Sequence, residues 1–227
     1  MGYDPKPQEI ITAAYLVAKY LQNVKFNKKV YVIGGDGIGE ELDLVGIRHT
    51  GIGPDILEPD LNTFLHSFVP DPEVGAVVVS FDEHISYPKL VKAAKYLSDP
   101  SVLFLATSVD LRIPVATGVV PGPGALIKYI EACSGRKATV LGKPEPFIRK
   151  VVVDTFNVTP ETTLFIGDNA HTDVLTGKRC GTKTLLVLSG ISKSDDIKVW
   201  TESDNMETKD LIPDYYTDSL ADLLPYL

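Results

Sequence analysis

Two aspartates, Asp168 and Asp173, lie within the run TLFIGDNAHTD at 163–173. Carboxylates gathered at the carboxyl end of a strand can hold a hard cation such as Mg2+, and the cation can bridge to a phosphate. The same two residues have a plainer use: Asp168 can cap a turn and Asp173 the helix that follows. Lys143, within Gly142-Lys143-Pro144, is the third group of interest. A lysine placed after a strand can neutralise phosphate charge; elsewhere such a residue is a solvated turn lysine.

Definite elements have to position these side chains. Residues 163–166 are apolar, β-branched and aromatic and end at Gly167, which predicts a short buried strand. Val174, Leu175 and the basic pair Lys178-Arg179, closed by Gly181, predict a short helix. A strand at 139–141 leads to Lys143, and a helix at 147–156 separates it from the acidic run. In an open parallel sheet ligands bind beyond the carboxyl ends of the strands, so the loops at 142–144 and 167–173 are expected over one edge.

Upstream, Ile10, Ala13, Ala14, Val17 and Leu21 recur at helical spacing and predict a helix over 7–22. Strands are expected at 29–33, 74–80 and 102–106, and helices at 87–97 and 125–133. Residues 52–65 read as a loop broken by Pro54 and Pro59. A strand at 184–188, an acidic surface helix and loop over 194–210 and a closing segment at 215–224 complete the chain. Strands and helices alternate throughout, so the expected fold class is α/β with mostly parallel sheets.

Composition narrows the function classes. The chain has 227 residues, 44% of them hydrophobic, enough for a packed core, and its net charge of −8 argues against a nucleic-acid surface. No apolar run is long enough to span a bilayer, and MGYDPKPQEI has no apolar signal core. Cys133 and Cys180 then read as reduced thiols, and the cytoplasm as the expected compartment. The strand at 29–33 runs into Gly34-Gly35-Asp36-Gly37-Ile38-Gly39 and then Glu40-Glu41, which imitates a dinucleotide fingerprint. The glycine register is wrong, and three acidic residues in and just after the loop would repel a pyrophosphate. A nucleotide-binding oxidoreductase is therefore disfavoured, and a glycine-rich turn is the reading kept.

Gly142-Lys143-Pro144 followed by Gly167-Asp168-Asn169-Ala170-His171-Thr172-Asp173 resembles the third and fourth motifs of the haloacid dehalogenase superfamily. The closer resemblance is to its p-nitrophenylphosphatase, phosphoglycolate phosphatase and pyridoxal phosphatase branch. It extends through ITAAYLVAKYL, KVYVIGGDGIGEEL, AVVVSFDEHISYPKL, ATSVD, PGPGALIKYIEACSGRKATVLGKP and CGTKTLLVLSGIS. The resemblance implies a Mg2+-dependent hydrolase of small phosphomonoesters that works through an aspartyl-phosphate. It also implies a Rossmann-like core at 1–45 and 138–227 carrying a large inserted α/β cap at 46–137. Lys143 would steady the phosphate and the nucleophile, Asp168 would ligate Mg2+, and Asp173 would stand close to the metal or its water. The loop 107–114 would be the cap's substrate loop, with Ser108, Asp110 and Arg112 as substrate-binding side chains. The partners implied are a small phosphorylated metabolite and a second copy docked through the cap. Ser108 departs from the asparagine common at its position, and the absence of histidine near Ile113 leans toward the phosphoglycolate type.

One departure bears on the chemistry. The nucleophile is expected in a D-x-D-G segment on a first core strand, and no D-x-D pair occurs in the chain. The second motif is missing too. The implied reading is an incomplete and poorly active phosphatase; the alternative is an inactive homologue that binds a phosphometabolite or dimerises. Without the missing strands, open backbone edges and uncovered apolar faces are expected.

Overall fold

The computed structural model describes residues 4–226. It divides into two compact units, one Ile11–Gly142, the other Lys143–Leu227 together with Met1–Ile10.

The 11–142 unit begins where Thr12 accepts the N–H of Tyr15 and starts α1 (Ala13–Asn23), which buries Leu16, Val17, Ala18 and Leu21. The single helix expected over 7–22 is thus two pieces. Pro7–Glu9 is a 3-10 turn, Ile10 is extended, and the helix waits for the Thr12 cap. β1 (Lys29–Ile33) runs into α2 (Asp36–Leu44), with Gly35 at the N-cap. After β2 (His49–Thr50) comes α3 (Leu61–Ser67), in a stretch read partly as loop. Asp60 starts it, accepting from the backbone N–H and hydroxyl of Thr63. There follow β3 (Val74–Val79), α4 (Tyr87–Leu97), β4 (Leu103–Ala106), the hairpin β5 (Arg112–Val115) and β6 (Gly118–Pro121), α5 (Pro123–Ser134) and β7 (Thr139–Val140).

The main sheet of this unit has the order β2-β1-β3-β4-β7, with every neighbouring pair parallel. All six residues of β3 are buried, as expected for the inner strand of a sheet covered on both faces. The sheet joins β1 to β3 and β4, strands that the 1–45 and 46–137 division had separated. Val30 to Ile33 register against Ala76 to Val79, so this buried strand belongs with its apolar partners, and the division falls at 10/11 and 142/143. β3 and β4 are internal to the sheet.

Beyond β3 the chain turns through an ion pair shielded from water. Lys89 Nζ lies 2.6 Å from Asp82 Oδ2, with side chains 0% and 1% exposed, and Asp82 also accepts the N–H of His84.

The second unit contains α6 (Phe147–Phe156), β8 (Leu164–Gly167), α7 (Leu175–Cys180), β9 (Lys183–Val187), α8 (Ser194–Glu202), α9 (Met206–Lys209) and β10 (Tyr215–Thr217). Its parallel sheet has the order β10-β9-β8. The helices gather on one face: Gly177 of α7 lies against Phe165 and Thr184, and Trp200 of α8 packs with Leu186, Val174 and Leu211. β8 is not the buried strand expected. It stands at the sheet edge, and Leu164 and Ile166 remain 44% and 41% exposed. Asp214 fastens β10 to β9, accepting from Lys183 Nζ and from the N–H and hydroxyl of Thr184.

Replacing Asp82 by Asn is expected to cost about 3–5 kcal/mol in urea unfolding, because Lys89 is left charged and buried without its anion. Adding Lys89→Met to Asp82→Asn should recover most of that loss. A pH effect is expected at Asp214. Burial raises its carboxyl, but the hydrogen bonds from Lys183 and Thr184 outweigh this and hold it below the usual value of 3.8. Its stabilising contribution is therefore present above about pH 4 and lost as pH falls through the depressed folded-state value. Asp214→Asn should lower Tm near neutral pH, by an amount that shrinks as melts are repeated in acid.

Candidate active site

β8 ends at Gly167 and delivers Asp168 to the carboxyl edge of its sheet. The loop then tightens into one turn of π-helix, Ala170–Val174, with the Asn169 side chain accepting the N–H of His171 at its start. Such turns are uncommon and often occur at functional sites. This one carries Asp173 back beneath the loop. Asp173 Oδ2 accepts the N–H groups of Asp168 and Asn169, each at 3.1 Å. Asp173 Oδ1 accepts Lys143 Nζ at 2.6 Å. The Asp173 side chain is 6% exposed and that of Lys143 46%, so a buried carboxylate with three donors holds a lysine whose ammonium reaches water.

Two glycines give the acids their room. A Cβ on Gly167 would overlap the Asp173 carboxylate, and one on Gly190 would overlap that of Asp168. The loop after β9 completes the cradle. Ile191 N–H donates to Asp168 Oδ2 at 3.2 Å, Ser192 N–H donates to the Asp168 carbonyl, and Ser192 Oγ accepts the N–H of Ala170. On the lysine side, Arg179 of α7 donates to the Pro144 carbonyl and to Glu145 Oε1, and so ties that helix to the loop following Lys143.

Lys143, Asp168 and Asp173 are thus brought together within the second unit. Ser108, Asp110 and Arg112 lie in the other, past the end of β4. Ser108 Oγ donates to Asp110 Oδ2 and accepts the Asp110 N–H, while Asp110 and the β5 residue Arg112 are exposed. From the sequence, Gly190, Ile191 and Ser192 were noted only within the run CGTKTLLVLSGIS and Arg179 only as a helix-end residue, with no place in the site. The one available signal was a Ser-Gly-Ile-Ser run directly after the last core strand, where an open parallel sheet places its ligand loops.

As a metal site the donor set is sparse. Among the described residues no three His, Cys, Asp or Glu side chains converge as a metal cluster. Both oxygens of Asp173 are taken by nitrogen donors. Asp168 is half-buried, and Ile191 N–H is its one side-chain donor among the described residues. A single free carboxylate oxygen fits Mg2+, which keeps several waters and is held by one or two carboxylates together with substrate phosphate.

The unequal burial of the ion pair predicts unequal mutational costs. Asp173→Asn faces the Lys143 ammonium and two backbone N–H groups with one acceptor fewer, and should cost about 2–3 kcal/mol in urea unfolding. Lys143→Met leaves Asp173 its backbone donors, and the exposed lysine should be worth about 1 kcal/mol or less. Equal costs would contradict this account of the loop.

Comparison with known proteins agrees with the geometry. Residues 7–181 match the haloacid dehalogenase-like hydrolase family and residues 140–223 match a second, HAD-hydrolase-like model. Glycerol-3-phosphate phosphatase from Rattus norvegicus is 40% identical over 223 residues, covering 96% of this chain and 70% of the relative. Chronophin from Homo sapiens is 37% identical, covering 86% of this chain and 61% of the relative. Among solved structures, p-nitrophenyl phosphatase from Archaeoglobus fulgidus superimposes with a TM-score of 0.79 at 26% identity, covering 100% of this chain and 77% of that one. NagD from E. coli K-12 gives a TM-score of 0.74 at 28% identity, covering 97% and 75%. With its lysine loop, its acidic loop and most of its length matched in this way, the chain belongs to the haloacid dehalogenase-like hydrolases, in their p-nitrophenylphosphatase-type phosphatase branch.

Proposed function

We propose that the loops at 142–144 and 167–173 bind the phosphoryl group of a small phosphomonoester, as part of a Mg2+-dependent hydrolase. The observation that carries this reading is the 2.6 Å contact of Lys143 with buried Asp173, beside the half-buried Asp168. The relatives point to the substrate class, since their names specify glycerol 3-phosphate and p-nitrophenyl phosphate.

In this reading Asp168 is the protein ligand of the Mg2+, and Asp173 holds the Lys143 ammonium in place. A bound Mg2+ supplies positive charge against the phosphoryl oxygens. Lys143 contributes a second positive charge from the protein side, at the open end of its ion pair. Ser108, Asp110 and Arg112 are the candidates for recognising the organic part of the substrate, and a homodimer is the expected assembly.

The chain contains no D-x-D pair, so it lacks the expected phosphoryl acceptor. Loss of a nucleophile forfeits orders of magnitude in rate and leaves binding and electrostatics. We therefore place this chain as the binding half of a phosphatase site with little turnover of its own. The alternative, a module that only binds phosphometabolites, shares the same residues.

Titration of inorganic phosphate into the purified chain should show binding that strengthens with Mg2+. Asp168→Asn should remove the Mg2+ effect, and Lys143→Ala should weaken binding about tenfold or more. Phosphate binding indifferent to both substitutions would refute the site. With p-nitrophenyl phosphate and Mg2+, turnover should fall about a thousandfold or more below that of a complete relative; turnover within about tenfold would mean the chain supplies its own acceptor.

A further inference from the structure

Lys143 opens the long segment of the second unit, and its ammonium sits at the end of a flexible four-carbon stem. Two ties fix this start of the segment. One is the contact of Lys143 Nζ with Asp173 at 2.6 Å. The other falls on the next two residues: Arg179 Nη1 donates to the Pro144 carbonyl at 3.3 Å and to Glu145 Oε1 at 3.0 Å. Asp173 lies in the π-turn Ala170–Val174, which passes without a break into α7, and Arg179 lies in the last turn of α7. One helical run therefore grips residue 143 by its side chain and residues 144–145 by carbonyl and carboxylate.

We propose that Arg179 is a positioning residue for Lys143. Its hydrogen bonds go to Pro144 and Glu145 and not to the ion pair itself. Asp173 fixes the ammonium but leaves the lysine stem free to start from many backbone positions. Arg179 removes that freedom, because the planar guanidinium holds its acceptors in a set geometry. The ammonium can then stay on Asp173 while its open side still reaches water. The tie suits position more than stability. The Arg179 and Glu145 side chains are 40% and 41% exposed, and exposed ion pairs contribute little to folding. Pairing with Arg179 also compensates the Glu145 carboxylate, two residues from Lys143, so charge and position have to be separated by experiment. The effect on phosphate rests on the proposed phosphoryl-binding role, whereas the effect on Lys143 itself does not.

Acylation of the full chain by an amine-reactive ester, read by peptide mass analysis without phosphate, reports how firmly Lys143 is paired. Arg179→Met should raise the Lys143 rate about threefold, within the range of one exposed pair. It should leave the rate at Lys198 unchanged and the melting temperature within about 2 °C. Arg179→Lys, which keeps a donor, should return part of the protection. In titrations of inorganic phosphate with Mg2+, Arg179→Met should weaken binding about threefold in the parent chain and not at all on a Lys143→Ala background. If labelling responds but phosphate does not bind, the positioning role stands and the phosphatase reading falls. Unchanged labelling of Lys143 would overturn the proposal, as would a large fall in melting temperature, which would make the tie structural. A phosphate effect that persists without Lys143 would overturn it too, since Arg179 would then meet the anion directly. So would an effect that vanishes when Glu145→Gln is added to Arg179→Met, since Arg179 would then only compensate that carboxylate.

Discussion

The carboxylate of Asp173 is the constraint on which the site rests. A buried anion is costly unless its oxygens are satisfied, and here three donors meet that need: the Lys143 ammonium and the N–H groups of Asp168 and Asn169. Much of the surrounding structure follows from bringing those donors together. The π-turn brings Asp173 back under the strand end, and Gly167 leaves space for its carboxylate. The loop before α6 brings Lys143 from the other side, with Arg179 gripping the residues that follow it. The Asp173 side chain works as an internal fastener of the loop.

A similar principle operates in the 11–142 unit. There the buried Lys89 and Asp82 pair pins the chain leaving β3 to the first turns of α4. Both units thus fix a strand-end loop by an acid and a lysine, 7 residues apart in the first unit and 30 apart in the second. The pairs differ in their access to water. Lys89 is fully buried, so its pair is structural, whereas Lys143 is half exposed and can still face an anion.

The proximity of Lys143 to the acidic run was legible in the sequence, but not for the reason expected. The strands before them belong to different sheets, β7 to the five-stranded one and β8 to the three-stranded one, so the contact of Lys143 with Asp173, not a shared sheet edge, joins the two loops. The caps at Thr12 and Asp60 were readable in principle, but the apolar spacing before Ala13 and the prolines before Leu61 outweighed them. The division of the chain was not legible locally. Whether Lys29–Ile33 pairs with Val74–Val79 or with the strands after residue 142 depends on partners far away in sequence, and all these strands are apolar. The exposure of Leu164 and Ile166 was hidden for the same reason, because composition marks a strand as buried without saying what covers it. Gly190 was missed because its role is to leave space for Asp168, and an omitted side chain gives no chemical signal.

Charge balance links these residues to the kind of ligand proposed. The Lys143 and Asp173 pair is neutral as a unit, so Asp168 leaves the cluster with a net negative charge. A phosphomonoester dianion approaching that cluster meets one partly compensated cation and one uncompensated anion. At contact distances even a well-screened like-charge interaction is unfavourable. A divalent cation on Asp168 reverses the sign of the field that the phosphate meets. On the proposed reading the cation and the phosphate therefore have to favour each other's binding, and the coupling is equal in both directions. On the same reading the ion pair that secures the loop leaves Lys143 a partly compensated charge, and the cation proposed on Asp168 supplies the rest of the attraction for phosphate.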